Sequence, residues 1–171
     1  MESECLCAGA HELSFNDTCA GGRVARSLSA SFVRRHDNLA KPPLISVMVA
    51  VPNAPEAVAW YIRALGAVEL WNLGSVAGLE IAGAPFFVGE PANNGWESPT
   101  KLGMTSARIE VFCDDPDAFI ARAVAAGADG SVDTIRNHEM PWGRHRQGGF
   151  LDPFGHMWLV GDRSPLRPHP V

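Results

Sequence analysis

A short pattern occurs twice in this chain at a fixed spacing, and that constrains the fold more than any other feature. The first copy is Pro55-Glu56-Ala57 followed by Ala64-Leu65-Gly66-Ala67; the second is Pro116-Asp117-Ala118 followed by Ala125-Ala126-Gly127-Ala128. The offset is 61 at both ends (116 − 55 and 127 − 66). A repeat of this size implies two similar modules that complete each other, with a cleft between them.

The 171 residues suffice for one ordinary domain or two half-domains sharing a core. No apolar run approaches the ~20 residues that span a bilayer, and the N-terminus shows no apolar segment of a secretory signal, so a cytoplasmic protein without a membrane partner is expected. Residues 1–41 carry five bases (Arg23, Arg26, Arg34, Arg35, Lys41) and five acids (Glu2, Glu4, Glu12, Asp17, Asp37), so the net −5 resides in the remainder. That balance argues against nucleic acid as a partner. Of the four cysteines, Cys5, Cys7 and Cys19 lie in the first segment and Cys113 in the body. With His11, the first three could form a zinc site, but their spacing matches no standard finger; a reduced, flexible tail over 1–43 is the simpler expectation.

Pro42-Pro43 closes that tail. Ile45–Val51 reads as a strand, and Ala54–Leu65 as a helix with Asn53 as N-cap, Gly66 as C-cap glycine, and Val58, Ile62 and Leu65 on its buried face. Strands near 68–73, 76–82 and 85–88 follow, separated by Gly74 and Gly83. After a linker containing Asn93-Asn94-Gly95 and Ser98-Pro99, the order repeats: a strand over 107–113, a helix capped by Asp114 or Asp115 and running to Ala126, then strands near 130–136, 144–151 and 157–161. The expected architecture is α+β, two strand–helix–strand–strand–strand modules at 44–92 and 105–162, with a Pro-rich tail at 163–171.

Several pieces of this pattern resemble one family. They are Val51-Pro52-Asn53, Trp60-Tyr61, Ser98-Pro99 with Leu102-Gly103, Asp114-Asp115-Pro116-Asp117-Ala118, Trp142-Gly143, and Asp152-Pro153-Phe154-Gly155-His156-Met157-Trp158. Together they are similar to the vicinal-oxygen-chelate superfamily of glyoxalase I, bleomycin-resistance proteins and extradiol dioxygenases, and within it to the PhnB-like branch. The resemblance covers about residues 44–162 and implies paired βαβββ modules curling around a pocket, often in a homodimer. It says little about the reaction, because one fold hosts many chemistries. Asp152–Gly155 reads as a structural turn.

Metal-dependent members of that superfamily place His, Gln or Glu on the inner faces of four strands. Carried over, the first position falls on Met48, its repeat partner on Ile109 beside Glu110, and the others near Phe86-Phe87-Val88 and on Leu159 or Trp158. Glu110 alone cannot hold a catalytic ion, so no metal cofactor is expected; a register slip of one residue would reopen the alternative of a divalent ion such as Ni, Mn, Fe or Zn. His138-Glu139 with His145 has no helical spacing and reads as loop. No nucleophile elbow or phosphate-binding loop is present, and Cys113 reads as a small apolar strand residue.

What remains is aromatic. Trp71, Phe87, Trp96, Trp142, Phe150 and Trp158, with Met48, are the candidate ligand-binding residues, although any one of them is as readily core. Glu110, mid-strand in an apolar run, is the candidate catalytic group, as a base or as a partner for a cationic ligand. The expected function is binding of a small, planar or aromatic molecule; the alternative is a metal-dependent lyase, isomerase or dioxygenase acting on a small oxygenated substrate. A third possibility is assembly through the tail.

Overall fold

The computed structural model describes residues 43–168. The tail and the Cys5, Cys7, His11 and Cys19 cluster lie outside the described residues. Two modules repeat the same order: β1 (Met48–Ala50), α1 (Ala54–Leu65), β2 (Val68–Asn72), β3 (Val76–Ile81), β4 (Ala84–Gly89), and then β5 (Arg108–Phe112), α3 (Pro116–Ala125), β6 (Asp129–Met140), β7 (Gly143–Leu151), β8 (Met157–Gly161). A one-turn helix, α2 (Pro99–Leu102), interrupts the linker. The sheets have matching topologies, β1-β4-β3-β2 and β5-β8-β7-β6, with the first pair parallel and the rest antiparallel. The fold is therefore α+β with paired βαβββ modules.

Local chemistry sets the boundaries. Asn53 Oδ1 accepts the Glu56 amide at 3.0 Å and Gly66 closes α1 with φ 71°. Asp115, rather than Asp114, caps α3 through the Ala118 amide at 2.9 Å. β1 is shorter than the apolar run around it. Its parallel partner β4 has Pro85 near its start, which lacks an N–H, and the Pro85 carbonyl accepts the Ser46 hydroxyl instead. β6 runs four residues past its expected end at Arg136, to Met140, so His138 and His145 are a cross-strand pair rather than loop residues. The expected C-terminal tail begins with a 3₁₀ turn, Ser164–Leu166, which the Arg163–Asp114 ion pair and the Ser164–His145 hydrogen bond fasten to the body.

The buried face of α1 is Ala54, Ala57, Val58, Tyr61, Ala64 and Leu65, an i, i+3, i+4, i+7 stripe. Ile62, expected inside, is 42% exposed, because the stripe centres on Tyr61. α1 packs on α3: Trp60 Nε1 donates to the Ala126 carbonyl at 2.9 Å, and Arg122 Nε donates to the Ala64 carbonyl at 2.8 Å. The core joins both modules, with Tyr61 set against Phe86 of β4, Trp158 of β8 and Phe154.

Candidate functional site

Each sheet presents one face to the core and leaves the other open. In the first sheet Val49, Ala77, Leu79, Phe86 and Val88 point inward. The register then puts Met48, Phe87, Gly78 and Trp71 in one row across four strands on the open face (Met48↔Phe87, Gly78↔Phe87, Trp71↔Gly78). A bulge between Glu69 and Trp71 turns the Trp71 side chain onto that face. The indole lies directly over Gly78, where a Cβ would come within 2.5 Å of Trp71 Nε1. It also packs on Phe87, with ring centroids 5.7 Å apart and a 32° tilt. Trp96, from the linker, covers Gly89 in the neighbouring row; a Cβ there would sit 3.2 Å from Trp96 Cη2 and 3.5 Å from the Met48 sulfur. The result is a half-exposed aromatic and thioether platform (Trp71 is 40% exposed). Sequence reasoning missed Gly78 and Gly89, although glycine inside a strand does mark close approach.

On the second sheet the inward face carries Val111, Val160, Trp158 and Phe150. Glu110 therefore lies on the open face, exposed, beside Leu159 and Gly149. This corrects the expected register. Met48 stands five residues before the cap Asn53, and Glu110 stands five before the cap Asp115, so the partner of Met48 is Glu110, not Ile109. The four open-face positions at the centre of the two modules are Met48 with Phe87 and Glu110 with Leu159. Among them only Glu110 offers a hard donor; a thioether, a phenyl ring and an isobutyl group complete the set. These residues do not fit a divalent ion that needs imidazole and carboxylate ligands. Among the described residues no group of three or more His, Cys, Asp or Glu side chains is placed to hold a metal.

The remaining candidates fall elsewhere. Phe150 (0% exposed) and Trp158 (1%) stack in the core at 6.3 Å with a 9° tilt, so they brace the second sheet rather than line its open face. Trp158 does reach the floor of a groove of about 340 Å³ running along β5, which Ile81, Phe86, Glu110, Phe112 and Leu166 also line. Met48 and Trp96 meet Ile109 and His156 around a smaller cavity of about 160 Å³ at the β1 edge. Trp142 sits in the tight β6–β7 turn.

Two polar clusters support these walls. Asp152, buried, accepts Tyr61 Oη at 2.8 Å and Trp158 Nε1 at 2.9 Å on one oxygen, and the Phe154 and His156 amides at 2.9 Å each on the other. Burial, and then the charge and hydrogen bond of Asp152, push the Tyr61 phenol well above 10.0. His156 Nε2 lies 2.8 Å from the Ala50 carbonyl of β1, tying the closing motif of module two to module one. At the other end His145, also buried, places Nδ1 3.0 Å from Asp162 Oδ1 and 2.9 Å from Ser164 Oγ. Burial alone would raise the Asp162 carboxyl. Hydrogen bonds from Ser164, the Arg146 amide and His145 outweigh it and hold the group far below the usual carboxylate range.

The fold and this pair of open faces define a class. The family model described as Glyoxalase/Bleomycin resistance protein/Dioxygenase superfamily matches residues 44–160, and the chain belongs to that superfamily. An uncharacterised protein of Mycobacterium bovis is 35% identical over 135 residues, covering 73% of this chain and 85% of the relative. The crystal structure of TioX from Micromonospora sp. ML1 superposes with a TM-score of 0.54 at 26% identity, over 71% of this chain and 98% of that one. The fosfomycin resistance protein FosX of Listeria monocytogenes, solved with Mn(II) and a sulfate ion, has the same fold at 16% identity (TM-score 0.52; 72% and 94% covered).

Proposed function

We propose that this protein binds a small planar or aromatic molecule against the Met48–Phe87–Trp71 platform, with Trp96 at its border, and that it does so without the metal centre of its metal-dependent relatives. The observation that carries this reading is the makeup of the four central positions. Where a metal site needs converging hard donors, the chain has Met48, Phe87 and Leu159 around a single Glu110. The same side chains that make poor ligands for a hard ion make a good stacking surface. We assign the PhnB-like branch and a homodimer to the same reading: the platform is half exposed in one chain, and a second copy would close over it. Glu110 then serves as a carboxylate facing the ligand.

A metal-dependent lyase, isomerase or dioxygenase is the second reading, and Glu110 is the observation in its favour. A thermal melt after chelation, with Ni, Mn, Fe(II), Zn or Mg added back and elemental analysis alongside, separates the two. A ligand that binds only the folded state must raise its stability. The expected result is no shift with any ion. About one tightly bound metal per chain, with a melt that falls on chelation, overturns the metal-free reading.

A further inference from the structure

We propose that the ligand of the aromatic platform is a planar aromatic cation. The inference rests on the binding role proposed above and adds the charge of the ligand. Strands β1 to β4 contain no Lys, Arg or His, and their only acids are Glu69 and Glu80. Glu69 pairs with Leu79, a core-facing residue, and accepts the Asn72 side-chain amide at 3.0 Å on that same side. Glu80 pairs with Val68 and Pro85, one row along from Trp71, Gly78 and Phe87 on the open face. It is half-buried and takes part in none of the ion pairs among the described residues. Strands β1 to β4 therefore put one carboxylate, no base and two partly exposed aromatic rings on the open face, while Glu110 stands on the open face of the second sheet.

That combination selects by charge. Ring faces are electron-rich and attract a cation lying over them, more strongly once water is displaced. An unpaired carboxylate in the adjacent row adds Coulombic attraction to a cation and repels an anion. An anionic aromatic would meet Glu80 with nothing to neutralise it. A neutral one would keep the stacking and lose the rest. The overall charge of −5 steers in the same direction.

The test uses three probes of one shape, N-methylacridinium, acridine and acridine-9-carboxylate, titrated calorimetrically into the full-length chain at neutral pH. The wild type is compared with Trp71→Ala and Glu80→Gln. The cation is expected to bind about tenfold tighter than neutral acridine, and the carboxylate weakest. Glu80→Gln should narrow the gap between the cation and the neutral probe without changing the latter, and added salt should do the same. Equal binding of all three probes, or a cation unaffected by Glu80→Gln, overturns the charge assignment; if Trp71→Ala still abolishes that binding, the aromatic site itself stands. If no probe binds, or Trp71→Ala leaves all three bound, the binding role fails and the charge assignment with it.

Discussion

Tyr61 of the first module donates its phenolic hydrogen to Asp152 of the second at 2.8 Å, across 91 residues of sequence. Asp152 takes three further donors, so one buried carboxylate is satisfied from α1, from β8 and from its own turn. Replacing Asp152 with Ala strands all four donors. Because unsatisfied buried groups cost ~1–3 kcal/mol each, partly relieved by relaxation, a loss of about 3–5 kcal/mol is expected in denaturant unfolding. Tyr61→Phe removes only one donor and should cost about 1–2 kcal/mol.

The same pair sets an alkaline limit. The Tyr61 phenol titrates well above 10.0 in the folded protein and near 10.0 when unfolded. The unfolded chain therefore releases this proton first, so the stability is present in full below pH 10 and falls as pH rises beyond it. Urea midpoints measured across pH 9 to 11 should decline in the wild type and decline less in Tyr61→Phe.

Asp162 gives the opposite signature. Its carboxyl titrates far below the unfolded value of 3.8, so its contribution is present above that pH and is lost as acid protonates the folded group. Asp162→Asn should be less stable than wild type at neutral pH, and the two curves should draw together progressively as pH falls below 3.8. Parallel curves would mean that the His145–Asp162–Ser164 cluster contributes nothing through charge.

Arg122 closes the end of α1 from α3, donating to the Ala64 and Leu65 carbonyls while its guanidinium lies 5.0 Å from the Phe119 ring centroid. Arg122→Ala exposes two terminal carbonyls and removes the guanidinium over the Phe119 ring, for a destabilisation of about 1–3 kcal/mol. Lysine should rescue it only in part, because it cannot donate from a planar fork.

Gly78→Ala tests the platform. The added Cβ would meet Trp71 at 2.5 Å, so the indole must leave its seat. Trp71 emission should shift to the red as the ring enters water, and stacking of aromatic probes should weaken. An unchanged spectrum would mean that the indole does not rest on Gly78.

Much of this molecule was legible in sequence, and the errors are informative. The repeated prolines and glycines located both modules and most element boundaries, because capping chemistry is local. They misplaced the strand register by one. Proline is the second residue after the cap in Asn53-Ala54-Pro55 but the first in Asp115-Pro116, so aligning prolines shifts β1 against β5 and hides the match of Met48 with Glu110. Counting from the caps would have found it. Ile62 and Phe150 were misjudged for a different reason. Which apolar residue is inside depends on where Tyr61 and Trp158 centre the core, and that is settled by contacts distant in sequence. The extended β6 and the His145–Asp162 pairing were invisible because a polar strand carries no hydrophobic alternation.

The bond from His156 to the Ala50 carbonyl, together with the bond from Tyr61 to Asp152, makes the closing motif a keystone for the whole domain. A protein truncated after the first module would lose the partners of the Tyr61 phenol and the Ala50 carbonyl, together with the Phe154 and Trp158 rings that cover Tyr61. Although the two halves look like copies of an ancestral unit, neither is now a free-standing one. Exchange of halves between related proteins should succeed only when α1 and the Asp152–Trp158 stretch travel together.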